Sequence, residues 1–480
     1  MALPLHARAL EGDGIFCRVG GDPGTFTPAR KRTAPPERRI PERAPAAGEQ
    51  YRFHFDMTRC IGCHCCEVAC NEQNNNPPHL QWRKVGELEG GIYPDAQRFF
   101  LSMGCNHCVE PSCLKGCPVD AYRKDPVSGL VLHNADACIG CQYCTWNCQY
   151  GVPQYNNDRG VVGKCDMCHG RLSAGLDPAC VNACPSGAIQ VELVNIAEWS
   201  ANFGEANAPG MPPAHVSIST TRITQPEMPL MRTDEPRVGR EHPHTPLIVM
   251  TVLMQLAVGM IATSLLMAEP KWTATVAFGV MQIALAASTL HLGRPIHAIR
   301  ALRMWKRSWL SREVLLFTLF AGATSAYVGT LWLGSPLATP AGIAAAVLGV
   351  AGTVASSCIY LVPARPAWNM VHTTVSFLLT AAVLGPWFSG QFYPVALAAA
   401  AAQLANELVK YARLSRSNEI EHNSSARLLA GPLFVLRLVL LLIPTPLTAL
   451  AAEFLGRYLF FVTVVPRNVA STYFSVKEAA

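Results

Sequence analysis

The chain has 480 residues, of which half are hydrophobic and only 15% are charged. This length predicts more than one domain, and the low charge content excludes a uniformly soluble chain because it predicts membrane-spanning segments. The net charge of +6 is modest, so no nucleic-acid partner is predicted.

Residues 1–50 are rich in Pro, Arg and Gly and contain no apolar run of signal-peptide length. The adjacent Arg38 and Arg39 are not followed by such a run either, so no targeting signal is predicted. We interpret this segment as a disordered tail. A partner-binding arm is the alternative interpretation.

A cysteine ladder defines the second segment, residues 51–200. It holds 16 of the 19 cysteines, in four sets of four. The first and third sets have the spacing C-x2-C-x2-C-x3-C, whereas the second and fourth have a longer middle interval and end in C-x3-C-P. The four sets are Cys60, Cys63, Cys66 and Cys70; Cys105, Cys108, Cys113 and Cys117; Cys138, Cys141, Cys144 and Cys148; and Cys165, Cys168, Cys180 and Cys184.

This spacing is typical of iron–sulfur proteins. Three thiolates in a tight loop can hold three corners of a cubane, and in two-cluster ferredoxins the fourth cysteine ligates the other cluster. Sixteen ligands, four for each cluster, predict four [4Fe–4S] clusters. Zinc sites prefer isolated cysteine pairs, and disulfide frameworks belong to small secreted chains, so neither is favoured.

Short strands are predicted on both sides of the ladder, at residues 51–60 (YRFHFDMTRC) and 187–193 (GAIQVEL). The first and third sets share the tripeptide CIG, which suggests an internal duplication. We interpret Cys65 as a bystander to the ligands, because Tyr143 occupies the equivalent position of the third set. With little apolar mass around the cysteines, this domain is expected to fold stably only with iron.

Residues 201–245 lack sustained periodicity and contain many Pro, Gly and Met residues, which predicts a linker or an arm laid across a partner. Residues 246–466 then predict a membrane anchor, because each apolar run approaches the about 17–25 residues that a helix needs to cross hydrocarbon. We predict eight crossings, at 246–268, 273–292, 314–333, 341–362, 369–389, 394–411, 428–444 and 447–465. Residues 467–480 are predicted to be a cytoplasmic tail.

Basic residues concentrate on one side of the predicted helical array, the side that also carries the N-terminal domain. The loop between the second and third helices alone carries Arg294, Arg300, Arg303, Lys306, Arg307 and Arg312, whereas the opposite side has only Lys271. Because cytoplasmic loops concentrate Lys and Arg, we predict an inner (cytoplasmic) membrane protein whose cluster domain faces the cytoplasm.

A cluster ladder joined to a membrane domain suggests electron exchange with quinone in the lipid. No haem is expected, because b-type haem needs axial ligands deep in the helices and the nearby histidines lie at helix ends or in a loop. His291 and Glu313 are the candidate quinone/quinol site, since such a site needs groups that titrate or hydrogen-bond. The alternative is that both are interfacial, with Glu313 paired to a loop arginine.

Three further charged residues, Arg437, Glu453 and Arg457, are predicted within hydrocarbon. A charge there costs about 2.5–3.5 kcal/mol on insertion scales, so these side chains are expected to face inward. Glu453 and Arg457 are separated by four positions on one helix, which predicts an ion pair. Structural pairing is favoured over proton conduction as their role.

Six segments resemble one known family. CDMCHGRL, PACVNACPSGA and CQYGVPQYN resemble the iron–sulfur subunit of dimethyl sulfoxide reductase-type molybdenum enzymes, and LHLGRP, SWLSRE and EFLGRYLF resemble the membrane anchor subunit of the same complexes. Together the two resemblances cover nearly the whole chain from about residue 51. These subunits are usually separate polypeptides, whereas here they are joined.

The resemblance implies a missing partner, a catalytic subunit with a molybdenum bis-pterin cofactor. It places the family's quinol-site histidine on His291 and its acidic partner on Glu313, and the presence of Cys108 argues against the three-iron variant of some relatives. It also implies shared clusters. The implied ligand groups are Cys60, Cys63 and Cys66 with Cys184; Cys165, Cys168 and Cys180 with Cys70; Cys105, Cys108 and Cys113 with Cys148; and Cys138, Cys141 and Cys144 with Cys117.

The sequence therefore predicts a small α+β ferredoxin-like domain with four clusters, followed by an all-α polytopic membrane domain of about eight helices. The predicted function is that of a non-catalytic electron-transfer and anchor subunit between a molybdopterin subunit and membrane quinone, in sulfite oxidation or sulfoxide reduction. A stand-alone membrane ferredoxin:quinone oxidoreductase is the main alternative. A metal-stapled scaffold in a transporter is a third, non-redox possibility.

Overall fold

The computed structural model of the protein describes residues 39–91, 96–209, 211–232 and 240–467. Most of the predicted N-terminal tail and almost all of the predicted C-terminal tail lie outside these residues. Within them the chain has two parts, strands and short helices up to Arg232 and longer helices from Thr245 onward. The predicted order of a small α+β domain followed by a helical anchor is confirmed.

The first part contains ten strands and six short helices in the described residues. The strands are β1 (Glu49–Asp56), β2 (Lys84–Gly90), β3 (Gln97–Met103), β4 (Tyr122–Lys124), β5 (Val131–His133), β6 (Gln154–Asn156), β7 (Val161–Gly163), β8 (Ile189–Asn195), β9 (Arg222–Thr224) and β10 (Leu230–Arg232). The helices are α1 (Cys65–Asn74), α2 (Ser112–Gly116), α3 (Tyr143–Asn147), α4 (His169–Ser173), α5 (Ala179–Asn182) and α6 (Ile196–Ala201), with 3-10 turns at Gly204–Ala206 and Ala214–Val216.

Two three-stranded sheets and two hairpins, β4–β5 and β6–β7, surround the cysteines. In one sheet β1 lies between β8, which is antiparallel to it, and β9, which is parallel. The two strands predicted from sequence, β1 and β8, are confirmed, and Phe53 of β1 is opposite Val191 of β8. Both residues pack into a core that also contains ladder cysteines, so apolar side chains and cluster loops share one interior.

Residues 201–232, for which the sequence predicts a linker or a partner arm, pack on the cluster domain. β9 extends the sheet of β1, and β10 pairs with β2. The indole of Trp199 donates to the carbonyl of Ser219 at 2.8 Å, and Ser217 Oγ lies 3.3 Å from Cys108 Sγ. At the N-terminal end of the described chain, Ile40 is buried in the core that contains Phe53 and Val191. These short pairings leave no periodic signal in the sequence.

The second part contains nine α-helices in the described residues, joined by short loops. They are α7 (Thr245–Ser264), α8 (Lys271–Leu290), α9 (Trp309–Trp332), α10 (Ala338–Ile359), α11 (Val371–Ser389), α12 (Tyr393–Ser415), α13 (Ile420–Leu429), α14 (Pro432–Leu442) and α15 (Pro446–Val462). A 3-10 helix, Pro295–Leu302, connects α8 to α9.

The predicted count of eight crossings is not confirmed. Among the described residues five helices, α7 to α11, are long and apolar enough to cross a membrane, and the number is six if α13 and α14, bent by 66° to each other, form one span. α12 is long, but its second half carries Glu407, Lys410 and Arg413. α14 and α15 have only 11 and 17 residues, too few to match the other spans.

Helix α7 forms the centre of the anchor and packs against α8, α10, α11 and α15. It is apolar on all sides, as expected for a helix buried by others. Its contact with α11 depends on small residues: a Cβ atom on Gly259 would lie 2.1 Å from the carbonyl oxygen of Ala381, and a Cβ atom on Gly385 would lie 2.4 Å from the carbonyl carbon of Gly259. The two backbones therefore approach closely, as is common between membrane helices.

Candidate functional site

All four cysteine sets begin with the same tight turn. The residue before the second cysteine has a positive φ in each set, at Gly62 (66°), His107 (42°), Gly140 (70°) and Met167 (60°). Its backbone N–H points to the sulfur two positions earlier, with N···Sγ distances of 3.5 Å to Cys105 and 3.4 Å to Cys138 and Cys165. The duplication that the sequence shows in two sets therefore extends to the backbone of all four, although two of the turns lack glycine.

The sixteen ladder thiols lie in four groups, each with three members from one set and one from another. Group 1 is Cys60, Cys63, Cys66 and Cys184; group 2 is Cys70, Cys165, Cys168 and Cys180; group 3 is Cys105, Cys108, Cys113 and Cys148; and group 4 is Cys117, Cys138, Cys141 and Cys144. All four thiols of group 3 line one cavity of about 400 Å³, and those of group 1 line another of about 300 Å³. These groups match the sharing that the family resemblance implies.

The chemistry of these groups fits iron–sulfur clusters better than single ions. Across the described ranges, no three His, Cys, Asp or Glu side chains converge closely enough to hold one metal ion, whereas zinc needs each sulfur at about 2.3 Å. Burial raises the pKa of the Cys66 and Cys168 thiols to about 12. Thiols in such surroundings need a metal to be held as thiolates.

A buried cation, Arg83, lies between group 1 and group 2. Its side chain is only 2% exposed and donates to Ser102 Oγ at 3.0 Å, which in turn lies 3.3 Å from the sulfur of Cys66 in group 1. The guanidinium also bonds to the sulfur of Cys180 in group 2 and stacks 4.6 Å from the ring of Phe53. The nearest anionic groups are thiols rather than carboxylates.

A second buried cation, Lys164, lies between group 2 and group 3. It is 3% exposed, and its Nζ lies 3.7 Å from the sulfur of Cys105 in group 3 and donates to the carbonyl of Cys165 in group 2 at 2.8 Å. Isolated ammonium and guanidinium groups are costly to bury, so both cations indicate negative charge in the groups beside them. Sequence reasoning missed both residues, since a single Arg or Lys near cysteines carries no distinctive spacing.

The gap between group 3 and group 4 holds a neutral side chain. Tyr122 is buried and lies close to Cys113 of group 3 and to Cys117 and Cys144 of group 4. Burial raises its pKa well above the usual range, so the phenol stays protonated. The four groups are thus separated by two cations and one neutral phenol.

The groups lead from an exposed surface to the membrane helices. In group 1, Cys63 is exposed and the neighbouring Ile61 is 63% exposed. At group 4, Gly140 accepts a hydrogen bond from the backbone N–H of Gly293 at 3.4 Å, in the loop after α8. A Cβ atom on Gly293 would lie 2.1 Å from the carbonyl oxygen of Gly160, so the two parts meet backbone to backbone.

Trp146 connects group 4 to the ends of the anchor helices. It lies on α3 between Cys144 and Cys148, and its ring is within 5.3–6.3 Å of four aromatic rings from the anchor. These rings come from the residue before α7, the residue after α10, the loop before α11 and the end of α15, namely His244, Tyr360, Trp368 and Phe461. One end of the helical array therefore surrounds the α3 side of the cluster domain.

The two predicted quinone-site residues both lie at this end of the anchor. Glu313, near the start of α9, is 6% exposed and hydrogen-bonded to Ser356. It also interacts electrostatically with Tyr143 of α3 and with Tyr360. The predicted alternative partner of Glu313, a loop arginine, does not pair with it. Arg312 instead donates to the backbone carbonyls of Trp305 and Lys306.

His291 follows the last residue of α8. Its Nδ1 is buried without a partner, its ring is electrostatically coupled to His244, and burial lowers its pKa to about 4. His291 and Glu313, both in the described part of the chain, form no hydrogen bond or ion pair with each other. Each interacts with a different member of the aromatic cluster around Trp146, His291 with His244 and Glu313 with Tyr360.

Comparisons with known proteins give the same division of the chain. Residues 96–193 match the family described as a 4Fe-4S dicluster domain, and residues 239–462 match the DMSO reductase anchor subunit (DmsC). The B subunit of anaerobic dimethyl sulfoxide reductase from Haemophilus influenzae is 36% identical over 190 residues, which cover 38% of this chain and 88% of the relative. This chain belongs to that family. It is a dimethyl sulfoxide reductase-type iron–sulfur subunit fused to the matching membrane anchor.

Two other relatives support the assignment of the fused subunit. The B subunit of anaerobic dimethyl sulfoxide reductase from Escherichia coli is 40% identical over 148 residues, or 29% of this chain and 72% of the relative. The formate dehydrogenase iron-sulfur subunit of Haemophilus influenzae is 32% identical over 204 residues, or 36% of this chain and 65% of the relative. The fused subunit is thus an iron–sulfur, electron-transfer and multi-pass anchor subunit of a molybdoenzyme type.

One prediction for the anchor of the fused subunit is wrong: Glu453 and Arg457 do not form an ion pair in the described residues. Glu453 accepts hydrogen bonds from Thr380 at 2.7 Å and Gln403 at 3.3 Å. Arg457 instead donates to Gln255 at 2.8 Å. Although four positions apart on α15, the two charged side chains leave the helix toward different neighbours, because helices on both sides offer polar partners.

Proposed function

We propose that the fused subunit carries electrons between a docked molybdopterin-containing catalytic subunit and membrane quinone through four [4Fe–4S] clusters. The observation that carries this proposal is the continuous series of thiol groups 1 to 4, which begins at an exposed surface and ends beside the anchor helices. When bound, such clusters supply one-electron carriers whose potentials depend on charge, hydrogen bonds and solvent.

The sixteen ladder cysteines are the proposed ligands, four for each cluster, in groups 1 to 4. Backbone N–H groups and the hydroxyls of Ser102 and Ser217 reach the sulfurs of Cys66 and Cys108 and would hold their negative charge. Cys65 lies outside this scheme. It is exposed, and Cys66, rather than Cys65, lines the group 1 cavity.

His291 and Glu313 are the proposed quinone site. Quinol gives up two protons for every two electrons, so the site needs proton acceptors close to the last electron carrier. The carboxyl of Glu313 beside Tyr360 and the unpartnered Nδ1 of His291 supply two acceptors at the cluster-domain end of the anchor. In the opposite direction the same groups would donate protons to quinone.

We further propose that the cluster domain faces the cytoplasm, across the inner membrane. Three of the loop cations bind the cluster domain itself: Arg294 donates to Ala135, Arg300 to Asp136, and Arg307 pairs with Asp120 at 3.1 Å. Their positions therefore have a structural cause as well. The orientation is supported by the remaining basic residues at the same end of the helices and by the scarcity of Lys and Arg at the other end.

The proposed substrate is an oxygen-containing sulfur compound, with sulfite oxidation and sulfoxide reduction as the two directions of electron flow. Purification of the assembled complex and assay of sulfite and dimethyl sulfoxide with quinone analogues tests the proposal, with formate as a control substrate. We expect quinone-coupled turnover of one sulfur compound. Turnover with formate alone would contradict the substrate class but not the electron path.

A stand-alone ferredoxin:quinone oxidoreductase is a second candidate, favoured by the exposure of group 1. Ile61 and Val68 form an apolar surface beside Cys63 that a soluble carrier could also contact. This candidate requires quinone reduction by the isolated subunit with a soluble carrier. Co-purification of a large pterin-containing subunit, with no such activity in its absence, would remove it.

A further inference from the structure

A second polar site lies inside the anchor, away from His291 and Glu313. A cavity with about 30 Å³ of space for water lies among α11, α12, α13, α14 and α15, and we call it the charged chamber. Five of the side chains that line it are ionisable: Glu407, Lys410, Arg437, Glu453 and Arg457. Ionisable residues are costly to bury inside a protein, so a cluster of five indicates a function beyond packing.

The two carboxylates of the chamber have different surroundings. Glu407 accepts an ion-pair contact from Arg437 at 2.8 Å, whereas the same arginine lies 3.9 Å from Glu453. Glu453 Oε2 instead accepts from the hydroxyl of Thr380 and the amide of Gln403. Glu407 is therefore fixed as an ion by its short pair, while Glu453 is hydrogen-bonded to neutral donors and has a longer ion-pair distance to Arg437.

Four buried polar atoms, three in residues that line the chamber and one beside it in Gln403, lack any hydrogen-bond partner. Two are donors and two are acceptors, and their side chains are between 0% and 4% exposed. They are Arg437 Nε, Arg457 Nε, Glu453 Oε1 and Gln403 Oε1. Water satisfies donors and acceptors alike, whereas an anion would satisfy only the donors and a lipid chain neither.

The chamber extends from the cluster-domain end of the anchor into its interior. Lys410, Ser425 and Thr463, near the ends of α12, α13 and α15, line its outer part. Glu453 lies nine residues before the end of α15 at Val462, which is roughly 14 Å of helix. A proton that reaches Glu453 from this end has therefore entered the middle of the helical array.

We infer that the charged chamber holds ordered water and that Glu453 is a proton-exchange site, loaded and emptied from the aqueous side of the cluster domain. In the exchange, one proton moves between a chamber water and Glu453 Oε1, and no other bond changes. Burial favours the neutral acid, while Arg437 of α14 and Arg457 of α15 favour the carboxylate. The opposing effects leave both states accessible.

The other groups around Glu453 support this role for one carboxyl only. Glu407 of α12 opposes a second negative charge nearby. Arg457 is held away from Glu453 by Gln255 of α7 at 2.8 Å and by the ring of Phe377 of α11, 3.7 Å from its Cζ. The inference does not depend on the quinone site or on the direction of electron flow.

Infrared difference spectroscopy on the full-length fused subunit in lipid nanodiscs tests this inference, without quinone or electron donor. Stepping the pH downward should produce the carbonyl-stretch band of a protonated carboxyl group. Glu453→Gln should remove one component of this band and leave the component of Glu313, and Glu453→Asp should retain the removed component at a shifted frequency. The matched control is Glu269→Gln, an exposed carboxyl between α7 and α8, which should leave the band unchanged.

Exchange into deuterated buffer tests the water and needs no substitution. We expect the band to shift within the dead time of buffer exchange, because chamber water carries the deuteron to Glu453. A band that keeps its frequency for hours would mean a dry cavity and would overturn the inference. So would a band in a Glu453→Gln subunit of wild-type iron content that is identical to the wild-type band, or a complete absence of titration in the wild-type protein.

Discussion

Arg83 and Lys164 are full positive charges in an interior that offers them thiols but few carboxylates. A charge buried without an opposite charge is among the most expensive features a fold can have. Under the proposed function the cluster–thiolate units supply the opposite charge. Each cation would then favour the reduced, more negative form of the clusters on its two sides, which raises their reduction potentials.

Replacement of Arg83 by Met should therefore lower the potential of the clusters in groups 1 and 2. A tenfold change in the one-electron equilibrium corresponds to about 59 mV, and we expect a shift of at least this size in redox titrations followed by electron paramagnetic resonance. Arg83→Lys should keep most of the wild-type value. Arg98→Met, on the exposed β3 edge, is the control that should change nothing, and equal potentials in all three variants would contradict the assignment.

At the scale of elements, the most demanding contact joins the loop after α8 to the loops of group 4. Gly140, Gly160 and Gly293 meet with no room for a side chain. The backbone N–H of Arg294 extends the contact by donating to Ile139 at 3.1 Å. Because backbone is packed on backbone, neither side can yield by changing a rotamer.

Gly293→Ala should separate group 4 from the anchor. Its Cβ atom would lie 2.1 Å from the carbonyl oxygen of Gly160, and overpacking of this kind costs about 1–3 kcal/mol or more. We expect slower electron exchange between quinol analogues and the clusters in stopped-flow absorbance, with unchanged iron content. Gly279→Ala on α8 has no atom within 4 Å of the new methyl group and should behave as the wild type.

Helices α14 and α15 pack together inside the charged chamber, where a glycine of α15 leaves room for an arginine side chain of α14. A Cβ atom on Gly456 would lie 2.2 Å from Arg437 Cζ, so Gly456→Ala should displace the guanidinium from Glu407. We expect the free energy of unfolding to fall by about 1–3 kcal/mol, which should be seen as a lower midpoint temperature in thermal unfolding of the detergent-solubilised subunit. Gly322→Ala on α9, where the methyl group meets open space, is the matched control, and equal midpoints would show that Arg437 moves aside freely.

At the scale of the whole molecule, the two parts depend on different sources of stability. The cluster domain has short strands and a core in which cysteines replace much of the apolar volume. The anchor has a continuous apolar core around α7. We therefore expect metal binding to be coupled to folding in the first part alone.

Removal of iron with a chelator under reducing conditions should unfold the cluster domain and leave the anchor helical. Hydrogen–deuterium exchange followed by mass spectrometry should show lost protection in β1 and β8 and retained protection in α7 to α11. Protection retained in both parts after complete iron loss would show that the sheets stabilise themselves. Loss in both parts would show that the anchor needs the docked domain to fold.

Part of this architecture could be predicted from sequence because its signals are local. The cysteine spacing, the strands β1 and β8 and the long apolar helices α7 to α11 depend on residues within one turn, one strand or one helix. The strands β9 and β10 could not, because each has three residues and is defined only by its pairing with β1 or β2. The count of eight crossings is not confirmed, because α12 combines an apolar half with a charged half that packs into the chamber, and because α14 and α15 are short.

The sequence by itself determined the type of cofactor, the division into a cluster domain and an anchor, and the family, because ligand spacing and hydrophobic length are properties of short segments. The family resemblance, rather than the spacing alone, implied which cysteines share a group. Only the tertiary structure decided where Arg83 and Lys164 lie between the groups, and that Glu453 is separated from Arg457. These features depend on contacts between segments 20 to 200 residues apart, and no local pattern specifies which distant partner a side chain will meet.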